Sequence, residues 1–297
     1  MVKFKDIEYK HLADKIRDNI FDVSNDYKTS IFLCGADIND SKSTRYKVAQ
    51  LFEDWWSKYY YRIYYPEDIF DELLYSSESK DLLSLEGLLA KSVDVIIMIP
   101  ESPGSFAELG AFANDENLRK KMICILDIKY KKNRSFINQG PVKLVKNVNP
   151  SNVLFLDLKN IDQNKKQIQS VIKQLIKTNF INKKEISLLQ ADSFILPILY
   201  LLEPVNRLTI SKILKFAMNE DEENAYQATY SGLTTLIKKN YAELTLTGYK
   251  LTQSGKKEFL KFKNPYPRVK NSAGGKILDN LRLDLLNLIY RNKRLKM

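Results

Sequence analysis

The sequence predicts an α/β protein: a doubly wound, five-stranded parallel sheet, followed by a smaller domain of helices and one β-hairpin. Three observations predict it. Short apolar runs rich in Ile, Val, Leu and Met recur through the first half. They read as strands buried on both faces, and they alternate with helical spacing. The run at 93–99 leads directly into a Pro103-Gly104 turn and a helix, which puts a loop at the carboxyl end of a strand. After about residue 190 the pattern becomes three apolar helices and an alternating stretch with Thr247-Gly248 at its turn, the order of a winged helix-turn-helix.

The elements follow in order. Residues 5–23 carry the spacing of an amphipathic helix, and 30–35 form the first strand. Ser41 and Ser43 open a helix running to about Tyr59. Residues 62–65 form a short strand stopped by Pro66. Residues 81–90 are helical, and 93–99 form the central strand, with Asp94 at its start in a structural place. Ser105 is the expected N-cap of a helix over 105–118. Strands at 121–127 and 153–156 complete the sheet. Residues 159–182 have helical spacing and bridge the domains. Helices are expected at 194–202, 209–218 and 225–239, a hairpin at 241–251 and a helix at 254–262. Asn264-Pro-Tyr-Pro267 and Ala273-Gly-Gly275 break the chain before a last helix at 276–290. The expected division is 1–158 for the sheet domain, 159–190 for a helical linker, 191–263 for the winged helix and 264–297 for a basic tail helix.

Composition narrows the function classes. The chain has 297 residues, 44% of them hydrophobic, enough for two cores. No apolar run approaches the roughly 20 residues of a membrane span, and the charged start lacks the apolar region of a signal peptide. Cys34 and Cys124 both sit in apolar runs and read as buried free thiols of a cytoplasmic protein. The single histidine, His11, excludes a His-rich metal site and argues against a Ser-His-Asp triad, so no metal or cofactor is expected. The net charge is +11, and residues 250–297 hold 13 Lys and Arg against 3 Asp and Glu, a local +10. Tyr249, Phe259, Phe262, Tyr266 and Tyr290 are interleaved with that charge. A basic, aromatic stretch is a footprint for nucleic acid or another polyanion, and the plain alternative is a solvated basic face. The candidate contacts are Lys256, Lys257, Arg268, Lys270, Arg291, Lys293, Arg294 and Lys296.

The segment from Asp94 to Phe112 carries the chemistry. A buried strand, a tight turn and a helix start bring backbone N–H groups and one carboxylate, Glu108, to the edge where open α/β sheets bind ligands. One carboxylate at such an edge can act as a nucleophile or as an ion-pair partner for a developing positive charge. Ser105-Phe-Ala-Glu108 is also a capping box, in which the glutamate merely reaches back to the N-cap N–H. From these residues alone both readings stand.

The pattern Ser102-Pro-Gly-Ser-Phe-Ala-Glu-Leu-Gly-Ala-Phe112 resembles the active-site turn of nucleoside 2-deoxyribosyltransferase-like proteins. Within that superfamily the chain is similar to the N-glycosidase effectors encoded beside retron reverse transcriptases. Ile31-Phe-Leu-Cys-Gly-Ala-Asp37, Tyr65-Pro-Glu-Asp-Ile-Phe-Asp71, Leu82-Leu-Ser-Leu-Glu86, Arg134-Ser-Phe-Ile-Asn138 and Gly140-Pro-Val142 carry the same resemblance. It implies a flavodoxin- or Rossmann-like sheet with the first, third and fourth strands central. It further implies Glu108 as the catalytic residue and NAD or a related nucleotide as the substrate. The partners it implies are a reverse transcriptase with its multicopy single-stranded DNA (msDNA) and RNA, in a homo-oligomer or larger assembly.

Several residues are placed beside Glu108. Gly35 would let a phosphate or ribose approach, and Asp37 would bind a ribose hydroxyl or form a turn. Glu67 and Asp68 end the second strand, against a plain reading as helix-start charges. Ser102, Gly104 and Ser105 would line a sugar or phosphate subsite. Glu86 matches a family position. Asn114 and Glu116 would reach a pocket from a neighbouring subunit, on the resemblance alone. Arg45 reads as a surface arginine or a phosphate partner. Two other functions compete: a salvage deoxyribosyltransferase, and a nucleotide-sensing winged-helix regulator.

Overall fold

The computed structural model describes residues 5–22, 28–67, 90, 92–179, 186–261 and 273–294. The chain divides into two compact units, Lys28–Asn182 and Met1–Tyr27 with Lys183–Met297.

The first unit holds a five-stranded sheet of β1 (Thr29–Cys34), β2 (Tyr61–Tyr64), β3 (Val95–Met98), β4 (Met122–Asp127) and β5 (Val153–Leu156). All pairings are parallel and the order is β2-β1-β3-β4-β5, so β1, β3 and β4 are central as expected. The central strands are continuous apolar runs because helices cover both faces. On one face Ile31, Leu33, Val95, Ile97, Ile123 and Ile125 form a core with Val48 and Phe52. Helix Lys165–Asn179 adds Ile168, Val171, Ile172 and Leu175 to that core. Its apolar residues recur every three or four positions, so one face is buried on the sheet. The segment expected to link the domains is therefore a layer of the first one.

At the amino edge, Asp94 ties β3 to β1. Its carboxylate accepts from the Ser30 amide and hydroxyl, both at 2.8 Å, and its own amide donates to Ser30 Oγ at 2.9 Å. This is the structural place expected of Asp94.

Helix boundaries depart from expectation where a better cap intervenes. The helix expected over 41–59 is two, Thr44–Gln50 and Trp55–Tyr60, because Asp54 caps the second by accepting from Ser57 N at 3.2 Å. Lys165 also bonds Asp54, and with Ser57 it holds that carboxyl below the usual carboxylate range. The helix expected over 105–118 is Pro103–Asn114 and Glu116–Lys120, separated by Asp115, which caps the latter. Of the helix expected at 81–90, all but Ala90 lies outside the described residues.

The second unit packs helices Ala191–Leu202, Arg207–Met218 and Glu222–Lys238 around Phe194, Ile198, Ile213, Leu214 and Leu233. An antiparallel hairpin follows, β6 (Ala242–Thr245) and β7 (Gly248–Leu251). Val205 and Tyr249 exchange backbone bonds of 3.1 and 2.8 Å, adding a one-residue bridge to β7. Gly248 has φ +135°, and a Cβ there would lie 2.7 Å from Val205 O, so the turn and the bridge both require glycine. Helices Gln253–Leu260 and Ala273–Arg294 complete the unit.

The opening helix, Asp6–Ile16, belongs here and not to the sheet domain expected over 1–158. It buries Tyr9, Leu12, Ala13 and Ile16 in the core shared with Ile210, Ile213 and Leu214. Among the described residues no helix is long and apolar enough to cross a membrane, and no cluster has the makings of a metal site.

The sheet register sets the chemistry of the two cysteines. Cys34 pairs with Met98 and Met98 with Cys124, two strand spacings or about 9.5 Å apart, beyond the reach of a disulfide. Neither forms a disulfide, both are buried, and burial pushes the Cys124 thiol up to about 12. Native protein at pH 8 is expected to leave both thiols unreactive toward a colorimetric disulfide reagent, with two appearing on denaturation. Fast modification of Cys124 in the folded state would contradict this packing.

Candidate active site at the carboxyl edge of the sheet

The chain leaves β1 toward β2 on one side and returns to β3 on the other, so the strand order reverses between β1 and β3. The crevice outside the carboxyl ends of two such strands is where open α/β sheets bind ligands. Here it is bounded by Gly35, Ala36 and Asp37 after β1 and by Pro100, Glu101 and Ser102 after β3. Ile99 N donates to Cys34 O at 2.9 Å and carries the strand pairing one residue further.

The turn after β3 is fixed by two serines. Ser102, not Ser105, is the N-cap: its Oγ accepts from Ser105 N at 3.3 Å. Ser105 Oγ accepts from the amides of Ser102 and Glu101, at 2.9 and 3.0 Å, and donates to Ser102 O at 2.9 Å. Pro103 occupies the first helical position, where its missing N–H costs nothing. Starting the helix there moves Glu108 into the second turn. The capping box is therefore made by Ser102 and Ser105, and Glu108 takes no part in it. Ser105 is buried, so its hydroxyl serves the turn rather than the subsite expected of it.

Arg45 is the largest wholly buried side chain among the described residues, 1% exposed, where a surface arginine was expected. It lies in helix Thr44–Gln50 and points under the crevice. Nη1 donates to Ala36 O at 3.1 Å, and the two terminal nitrogens make a bidentate pair with Glu67 at 2.5 and 2.7 Å. The guanidinium also lies 5.6 Å from the Tyr65 ring centre. Burial works against its charge, but the Glu67 hydrogen bond and charge outweigh it, with lesser support from Cys34 and Glu108, so its pKa is raised. Gly35 makes room for this side chain: a Cβ there would lie 3.0 Å from both Arg45 Cβ and Ile99 O. On its Cβ side Gly35 therefore faces protein, the arginine stem and the end of β3.

Glu108 is partly exposed, with Oε2 buried and its charge felt by Arg45. A carboxylate poised beside a permanent cation, at the mouth of a strand-end crevice, can approach a carbon that gains positive charge. Glu67, 50% exposed, uses both oxygens on Arg45. Asp37 is exposed and accepts from Asn39 N at 2.9 Å, forming a turn. Gly104 is exposed, with nothing within 4 Å of a Cβ. Asn114 ends the helix that carries Glu108, six residues on and exposed, so this chain does not bring the two together. Asp68 and Glu86 lie outside the described residues.

Sequence reasoning missed Glu101 and Thr44. Thr44 N donates to Glu101 Oε2 at 2.9 Å and its hydroxyl bonds the other oxygen, so Glu101 caps the helix that holds Arg45. An acid directly after the strand-ending Pro100 was the available signal.

Of the basic candidates in the second unit, Lys256 pairs with Glu203 at 3.0 Å, while Lys257 and Arg291 are exposed. Arg268, Lys270 and Lys296 lie outside the described residues, as do the side chains of Lys293 and Arg294.

Comparison with known proteins yields one family and two relatives. A family model described as "STM3845 retron effector protein" matches residues 41–244. The candidate ribosyltransferase/DNA-binding protein of retron Ec86 from Escherichia coli is 36% identical over 307 positions, spanning 98% of this chain and 95% of the relative. Its counterpart from retron Ec73, also from Escherichia coli, is 38% identical over 122 positions, spanning 40% of this chain and 38% of the relative.

Removing one partner of a buried ion pair strands the other. Glu67→Gln is expected to lower unfolding stability by about 2–3 kcal/mol, less than the roughly 3–5 kcal/mol of a fully buried pair because Glu67 is half exposed. Arg45→Lys should be destabilised as well, since an ammonium cannot reproduce the fork. Urea titrations at neutral pH check both, and wild-type stability in each would contradict the role given to the pair.

Proposed function

Because the chain belongs to the STM3845 retron effector family, we propose that it is the N-glycosidase effector of a retron defence system, cleaving NAD or a related nucleotide. The observation that carries this reading is the position of Glu108, in the second turn of the helix after β3, beside Arg45 at the carboxyl edge. The ribosyltransferase part of the relatives' names supports a reaction at C1′ of a sugar.

In this reading the bond between C1′ and the nicotinamide nitrogen breaks, and its electron pair returns to the cationic ring, which leaves neutral. A Glu108 oxygen meets the electron-poor C1′ as an ester or an ion pair. Water then adds its oxygen to C1′ and releases a proton, giving ADP-ribose. Arg45 contributes a fixed positive charge to the same edge of the sheet. The chemistry calls for no cofactor or metal.

The second unit supports a docking role. Helix, one-residue bridge, two helices and hairpin follow the order of a winged helix. Thr229, on the helix that would read bases, is buried and donates to Ala225 O at 2.7 Å. The hairpin exposes Leu244 and Leu246 where a phosphate-gripping wing would carry cations. This face suits the retron reverse transcriptase with its msDNA and RNA better than a sequence-specific duplex, and that partner would restrain the toxin in the cytoplasm until release. A homo-oligomer or larger assembly with the retron complex follows from the same reading.

Purified protein incubated with NAD is expected to yield nicotinamide and ADP-ribose, and Glu108→Gln to lose at least ~10³-fold in rate while keeping its melting temperature. Equal cleavage by a folded Glu108→Gln protein would remove Glu108 from the chemistry. Transfer of the sugar to an added base in preference to water would favour a salvage transferase.

A further inference from the structure

Asp127 and Asp157 are consecutive acidic residues, and the stretch between them carries six cations: Lys129, Lys131, Lys132, Arg134, Lys143 and Lys146. Such local imbalance makes a positive field. Four of the six fall within 129–134, directly after β4, at the same edge of the sheet as Glu108.

This loop is built, not loose. Asp127 caps the short turn Ile128–Tyr130 by accepting from Lys129 N at 2.9 Å, and pairs with Lys129 Nζ at 2.9 Å. Asn138 Nδ2 donates to the carbonyls of Tyr130 and Asn133, both at 2.8 Å, closing the loop from the far side. Every residue from 128 to 136 is exposed. Tyr130 is 47% exposed and Phe136 84%, and the Lys129 ammonium lies 4.7 Å from the Tyr130 ring centre. A merely solvated basic loop gives no reason to hold a phenyl ring in water. Cations that follow a backbone, interleaved with rings that accept bases, are what single-stranded nucleic acid needs.

We propose that the lobe formed by residues 128–136 is a binding face for single-stranded nucleic acid, with Lys131, Lys132 and Arg134 on phosphates and Tyr130 and Phe136 stacking bases. It lies in the other compact unit from the basic C-terminal stretch and does not depend on the role of Glu108. Neighbouring strands lie about 4.8 Å apart, so a bound strand would pass close to the crevice after β3.

The test uses the full chain and a fluorescent 30-nucleotide oligo-dT, read by anisotropy across a salt series. The combined variant Lys131→Glu, Lys132→Glu, Arg134→Glu is expected to bind at least tenfold more weakly at 100 mM salt. Its slope of log K against log salt should be smaller by about 2, near 0.7 for each lost phosphate contact. Phe136→Ala should lose about fivefold or more, and a matching duplex should bind more weakly than the single strand. Melting temperatures verify folding. The same loss should appear when Lys293, Arg294 and Lys296 are reversed as well, which separates the lobe from the tail. Unchanged affinity and slope in the triple variant would overturn the proposal. So would a Phe136→Ala protein that binds normally but changes oligomeric state in light scattering, since the face would then be a subunit contact.

Discussion

A guanidinium removed from water at the carboxyl edge of a sheet must be neutralised there, and much of the architecture of the candidate site follows from that requirement. Arg45 meets it through a two-pronged bond to Glu67 and a bond to the carbonyl of Ala36. Those contacts hold the segment after β2 against the loop after β1. Glycine at position 35 is the steric condition for it, since any Cβ would strike the arginine. Glu101 belongs to the same arrangement, capping the helix from which Arg45 extends. Without these partners the buried charge would be destabilising.

This cation gives the site its chemical bias. Arginine does not deprotonate in proteins, so its field at Glu108 persists at every working pH. The carboxylate is kept available by position and charge and not by an N-terminal helix dipole, which fades within the first turn. The two serines at 102 and 105 take over the capping duty and leave Glu108 for other work. At the opposite edge the Ser30–Asp94 cluster fixes β1 against β3, so both walls of the crevice rest on strands clamped at their far ends.

Much of this was legible in the sequence because it is local. Buried parallel strands announce themselves as apolar runs, and the strand order followed from the resemblance carried by the motifs around Glu108. The start of the Glu108 helix was not legible, because Ser102 and Ser105 are both acceptable caps and only the backbone path decides between them. The burial of Arg45 depends on Glu67, 22 residues away in sequence, and no local pattern reports such a pair. The opening helix shows the same limit. Its amphipathic spacing says that a face is covered, but its cover comes from residues some 200 positions later. Residues 165–179 looked like a linker because Lys and Gln dominate the composition, while four apolar positions on one face determine where the helix lies.

Charge, likewise, has to be read after pairing and not before it. The C-terminal stretch holds most of the net positive charge, yet Lys256 and Lys261 are paired with Glu203 and Glu258. Part of that field is spent inside the unit. The lobe after β4 has a smaller total, but across its sequence span no acid lies between Asp127 and Asp157. Lys129 is paired with Asp127, and the remaining cations stand on a loop whose shape is set by backbone bonds to Asn138. A polyanion responds to the local field within about a Debye length, roughly 8–10 Å at ordinary salt. On that scale the fixed, exposed cations of the lobe present a local field of their own, whatever the total charge of the longer C-terminal tract.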